Sequence, residues 1–125
     1  MGYHRTSDRR WADTEDIVLA PLALRDDAEA TGTEFELGDR ATVRLALTVT
    51  AKAGTTPTLD VTIETSHDGV TWYEAGAFAQ LSDPTVTTPV VARKVFAIDR
   101  FVRAKWEVGG SADPSLTFAL AGEAA

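Results

Sequence analysis

The chain has no cysteine, which excludes disulfides, thiolate metal sites and a cysteine nucleophile. Small secreted domains often lean on disulfides, so the absence favours assembly inside a reducing cell. No apolar run approaches the ~20 residues of a membrane span. The polar, charged stretch from Met1 to Asp16 does not have the pattern of a signal peptide. No long segment carries apolar residues at the i, i+3, i+4, i+7 spacing of an amphipathic helix. Positive charge is also scarce: 12 Lys and Arg stand against 19 Asp and Glu, for a net charge of −7. Residues 1–10 hold Arg5, Arg9 and Arg10 against Asp8 alone, so they contribute +2 and leave −9 to the remainder. An acidic body of this kind lacks the basic face that neutralises phosphates, which argues against nucleic acid as the main ligand.

What is present is alternation with period two. In Ala41 to Ala51, Val43, Leu45, Leu47 and Val49 fall on one side, and Thr42, Arg44, Thr48 and Thr50 on the other. Successive side chains of a strand point to opposite faces, so this is one buried face and one wet face. Leu59, Val61 and Ile63 repeat the pattern, as do Val102, Ala104, Trp106 and Val108, and then Leu116, Phe118 and Leu120. Further strands are expected over Asp16–Leu24, Thr33–Leu37, Val70–Phe78 and Val91–Ile98, making about eight. Turn chemistry falls between the runs, at Ala53-Gly54-Thr55-Thr56-Pro57, Ser82-Asp83-Pro84, Thr88-Pro89 and Gly109-Gly110-Ser111-Ala112-Asp113-Pro114. Asp68-Gly69 reads as a two-residue hairpin turn of type I′. With 125 residues, 44% hydrophobic and 25% charged, the chain suits one globular domain. We therefore expect an all-β, antiparallel β-sandwich over 17–125, jelly-roll-like, with an immunoglobulin-like sandwich as the alternative. Residues 1–16 lack alternation and are expected to form an extended N-terminal arm.

Catalytic chemistry is thin. His4 lies in the arm and His67 in the predicted turn, neither beside residues that suggest a triad. None of the five serines sits in a G-x-S-x-G elbow, and there is no phosphate loop or H-E-x-x-H. Asp60 and Glu64 share one strand face, where paired carboxylates can serve acid–base chemistry or simply keep an exposed face solvated. Asp26, Asp27 and Glu29 could offer oxygen ligands to calcium, but their spacing matches no EF-hand. Ser66-His67-Asp68-Gly69-Val70-Thr71-Trp72 is similar to the sialidase Asp-box, less one residue between Asp and Gly. It is either a structural turn on Asp68 and Gly69 or part of a sugar site built on Trp72 and Tyr73. Neither an enzyme activity nor a cofactor is expected.

The stretch from Leu59 to Ala125 carries a further pattern: Leu-Asp-Val-Thr-Ile-Glu-Thr-Ser (59–66), the turn at 68–72, Ala77-Phe78-Ala79-Gln80, Arg93-Lys94-Val95-Phe96, Asp99 to Trp106, and Asp113 to Phe118. It resembles small β-sandwich structural proteins of tailed bacteriophages, some of which decorate or cement the head. The resemblance implies a virion protein on the outer surface of the capsid, assembled in the host cytoplasm. It implies the major capsid protein as partner and a homo-oligomer, with a trimer suspected. A head–tail connector, a tail protein of the same fold and a carbohydrate-binding module for host attachment are the alternatives. In the arm, Tyr3, Arg5, Arg9, Arg10 and Trp11 are the candidate partner-binding residues, because aromatics and arginine are enriched at interfaces.

Overall fold

A computed structural model describes residues 14–125. All regular structure among these residues is β, in one antiparallel eight-stranded sheet. The strands are β1 (Glu15–Arg25), β2 (Ala30–Thr31), β3 (Phe35–Glu36), β4 (Thr42–Ser66), β5 (Tyr73–Ala77), β6 (Leu81–Ser82), β7 (Val90–Ala97) and β8 (Phe101–Ala124). The expected number of strands is met, but by a different partition. Two pairs of expected strands fuse into the long β4 and β8, while the short β2 and β6 are additional. β1 starts at Glu15, so the last two residues of the expected arm belong to the sheet.

β4 and β8 pair along nearly their whole length and form a ribbon at the centre of the sheet. Its first half joins 42–53 to 115–124 and is flanked by β1 on β8 and β7 on β4. Its second half joins 58–66 to 101–109 and is flanked by β2 and β3 on β8, and by β5 and β6 on β4. Between the halves lie the two segments expected to be loops. Their turn chemistry is real, but it bends a continuous ribbon: Gly54, Thr56, Gly110, Ala112 and Asp113 all have positive φ, and the register shifts three times from Val49 to Thr58. These shifts cancel. Val43 faces Ala124 and Ser66 faces Phe101, so the same number of residues separates the two pairs on either strand. A net slip of one residue would turn every later side chain to the wrong face.

Because the register is restored, both halves send their apolar residues into one cluster. It includes Val43, Leu45, Leu47, Val61, Ile63, Val102, Trp106, Phe118 and Leu120, all expected from the alternation, together with Ile17, Leu19, Leu116 and Phe96. Trp106 and Phe118 belong to different halves, yet their rings meet edge to face at 5.6 Å. Twelve positions of straight strand would hold them roughly 40 Å apart, so β8 doubles back at the bend. Phe78, just beyond β5, meets Phe96 of β7 in the same way at 5.4 Å.

Two substitutions test this organisation. Phe118→Ala removes a fully buried ring shared by both halves and should cost about 3–5 kcal/mol in denaturant unfolding. Gly110 has φ +121°, and a Cβ there would lie 2.9 Å from the Thr56 carbonyl oxygen. Gly110→Val should therefore cost at least ~1 kcal/mol, whereas a mobile surface loop would tolerate it.

Candidate functional site

Three places in the described residues concentrate polar and aromatic chemistry: the loop between β4 and β5, the outward face of the second half, and the outward face of the first. The loop is not the expected two-residue type I′ turn. That turn requires positive φ at both central residues, and of the pair only Gly69 has it, at +80°. The strands stop pairing at Thr65 and Tyr73, and the span between them is organised by side chains. Asp68 Oδ1 accepts the backbone N–H groups of Val70 (2.8 Å) and Thr71 (2.9 Å). The buried Ser66 hydroxyl donates to the same oxygen at 3.0 Å and accepts the Gly69 N–H at 2.8 Å. Short polar side chains that mimic backbone acceptors in this way define an Asx-type turn. Asp68 and Gly69 thus form a turn held by side-chain hydrogen bonds in place of the expected two-residue hairpin.

The neighbouring loop before β8 leans on this turn. Asp99 accepts the Tyr73 hydroxyl at 2.7 Å and its own neighbour's N–H, from Arg100, at 2.9 Å. His67 Nδ1 lies 3.4 Å from Oδ1, the oxygen that also accepts the Arg100 N–H. The buried Thr65 hydroxyl donates to the Phe101 carbonyl and accepts the Asp99 N–H, both at 2.7 Å. The Tyr73 hydrogen bond is the main reason the Asp99 carboxyl titrates below its ordinary range, and Asp99 in turn raises the Tyr73 phenol. Asp68 is also held low, first by the Thr71 and Val70 amides and then by Ser66. The His67–Asp99 pair has the outline of part of a triad, but Ser66 bonds Asp68 instead.

On the outward face of the second half, the carboxylates singled out from sequence are engaged by cross-strand partners. Glu64 accepts Arg103 Nε at 2.8 Å, and Glu34 draws the same guanidinium from the other side at 3.4 Å. Asp60 faces Glu107 directly across the ribbon, a like-charge pairing that costs stability. The Gln80 amide donates to both Asp60 oxygens, at 2.9 and 3.1 Å. Trp72 is half-buried, with the Arg103 guanidinium 4.1 Å from its ring centre. One face of the indole is therefore occupied by a cation (an ordinary cation–π arrangement) and not open as a sugar platform. Among the described residues no group of three or more His, Asp and Glu side chains is placed to hold a metal ion, Asp26, Asp27 and Glu29 included.

The outward face of the first half is different. A shallow groove there is floored by Ala46, Ala121 and Gly122 and rimmed by Asp16, Arg44, Arg93, Val95 and Glu123. Arg44 and Glu123 pair across the strands. The strands that bound this half carry most of the large exposed apolar side chains: Val18, Leu22 and Leu24 on β1, and Val91 and Val95 on β7. Among the described residues only Val70 and Tyr73 lie elsewhere.

The sequence reasoning missed Arg25. Its guanidinium lies 4.9 Å from the Trp106 ring centre and 4.6 Å from that of Phe118. It donates to the carbonyls of Phe118 (2.8 Å) and Pro21 (2.6 Å) and so fastens the bulged end of β1 over the core. Desolvation lowers its pKa from the usual arginine value. Nothing in its sequence neighbourhood distinguishes it from a solvated loop cation. Tyr3, Arg5, Arg9, Arg10, Trp11 and His4 lie outside the described residues. No family model matches the chain, and no curated protein matches it in sequence.

The two depressed carboxylates set the acid behaviour of this end of the molecule. A group whose pKa is lower folded than unfolded adds stability above its unfolded value and loses it as pH falls through the folded one. Asp68 and Asp99 should therefore withdraw stability below about pH 4, where free aspartate begins to protonate. Asp68→Asn keeps an acceptor oxygen but removes the titration. Its melting temperature should lie below wild type at neutral pH, and the difference should shrink as the pH is lowered through that window. A constant difference across the window would contradict the assignment.

Proposed function

We propose that the chain is a structural protein of a tailed-phage virion, most specifically a capsid decoration protein that binds the lattice of the major capsid protein. We further propose that its bent sheet is a jelly-roll-like sandwich. The contacts of Trp106 with Phe118 and of Phe78 with Phe96, each joining the two halves, support the sandwich. One observation carries the binding role: among the described residues, five of the seven large exposed apolar side chains lie on the two bounding strands of one half. Exposed apolar side chains on two open sheet edges offer surface for protein contact. The polar groups that might have served chemistry are tied into turns and cross-strand pairs. The placement in a virion rests on the resemblance between 59 and 125, whose motifs fall on β4, the Asp68 turn, the end of β5 and the residues after it, and on β7 and β8 with the loop before β8.

The direct test is the addition of purified chain to capsids assembled without it. Co-sedimentation to a saturating copy number in fixed ratio to the major capsid protein is expected. Failure to bind capsids, or recovery only with tails, would overturn the decoration reading. The arm supplies the second test. Residues 1–13 hold Tyr3, Trp11 and three arginines, and a segment that orders on a partner gains apolar burial and charged hydrogen bonds against its ordering entropy. Deleting residues 2–12 ends before β1 and should leave the melting temperature nearly unchanged while weakening attachment. Wild-type occupancy after the deletion would defeat the role given to the arm.

A further inference from the structure

The two bounding strands of the first half match each other. Among the described residues β1 pairs only with β8, and β7 only with β4. Apart from the bulge at Leu19, whose carbonyl lies against Gly32, each therefore presents a row of backbone groups that no strand pairs, the feature that lets one sheet add a strand from another. Going across the half, each strand is antiparallel to the next, from β1 through β8 and β4 to β7. β1 and β7 thus run in opposite directions. The β1 strand of a second copy would be antiparallel to β7 and would continue the sheet.

The charges are complementary in one register. β1 opens with Glu15 and Asp16, and β7 has Arg93 and Lys94 at its centre. Asp16 and Arg93 are both exposed, and neither enters an ion pair among the described residues. Setting Asp16 opposite Arg93 places Glu15 opposite Lys94 and Val18 opposite Val91. The faces agree as well. Asp16, Val18, Val91 and Arg93 are exposed, while Ile17, which would meet Ala92, is buried. Pairing β7 with itself about a twofold axis would instead bring Arg93 and Lys94 against their own copies, a destabilising arrangement.

We propose that copies of this chain associate head to tail, with the Glu15–Val18 part of β1 added to the β7 edge of the next copy. This inference rests on the decoration reading, whose underlying resemblance implies a homo-oligomer, and names the surface that forms it. A head-to-tail contact closes into a ring when its rotation permits. The register shift after Val18 and the proline at position 21 limit the paired stretch. The contact is therefore short, and the exposed Leu22, Leu24 and Val95 must add to it for the interface to approach the ~800 Å² per partner of a stable complex.

The test uses the full chain in sedimentation over a micromolar-to-millimolar range. Concentration-dependent oligomers are expected. Asp16→Arg and Arg93→Asp should each weaken association at least about tenfold by setting like charges opposite one another. The double exchange D16R/R93D should restore it. Both side chains are exposed, so melting temperatures should stay at the wild-type value and confirm that the variants fold. A monomer at every concentration, an oligomer indifferent to both single changes, or a double variant as weak as the singles would each overturn the proposal. Capsid binding measured in parallel separates the two claims. Failure of wild type to bind capsids strikes the decoration reading alone, and failure of the charge exchange strikes this one alone.

Discussion

Register along the β4–β8 ribbon is the constraint on which the rest of the structure depends. Each strand is more than 20 residues long and must fold back once. It must do so without changing which side chains face inward, because a one-residue slip exchanges the faces. The chain meets this with compensating irregularities. Positive-φ residues on both strands open the ladder at the bend, and pairing resumes in the register in which it left off. Val43 to Val49 and Leu59 to Ile63 thereby fill the same core, and Trp106 reaches Phe118. The short strands β2, β3, β5 and β6 only line the second half, and each depends on the ribbon for its pairing.

The outward face of the second half follows from the same ribbon. Residues opposite one another become charge partners whether or not their charges suit. Glu64 and Arg103 suit, and Glu34 and Trp72 complete the surroundings of that guanidinium. Asp60 and Glu107 do not, and Gln80 supplies Asp60 with donors. Exposed pairs of this kind contribute little each. Their consequence is chemical: the carboxylates, the Trp72 face and the hydroxyls of Ser66, Thr65 and Tyr73 are already engaged. Among the described residues the proposed attachment therefore falls on the open strand boundaries of the first half.

Alternation made the core legible from sequence, because burial on one face of a strand has a period that side chains record directly. The expected core residues are all buried for that reason. Continuity through the bend was not legible. Glycine, proline and aspartate at 53–57 and 109–114 suit a loop and a bulged corner equally well: Gly54, Gly110 and Asp113 adopt positive φ in this corner as they could in a loop, and only pairing distinguishes the two. At Asp68-Gly69 the dipeptide matched a type I′ turn, but Ser66 two residues earlier offered a competing set of side-chain hydrogen bonds, and these prevailed. Arg25 and the opposed charges of β1 and β7 were invisible because their meaning depends on strand order, which one sequence does not encode. The arm residues Tyr3, Arg5, Arg9, Arg10 and Trp11 fall outside the described residues and keep their standing as a proposal.

The proposed function divides the molecule in two: strand boundaries and arm for attachment, and the turn end of the sheet for its own stability. Amide hydrogen exchange, compared between the free chain and the chain bound on capsids, tests that division most directly. The account predicts new protection on β1 and β7, with the amides of 66–73 unchanged. New protection centred on the Ser66–Tyr73 loop and the Trp72 face, with β1 and β7 exchanging as in the free chain, would contradict it.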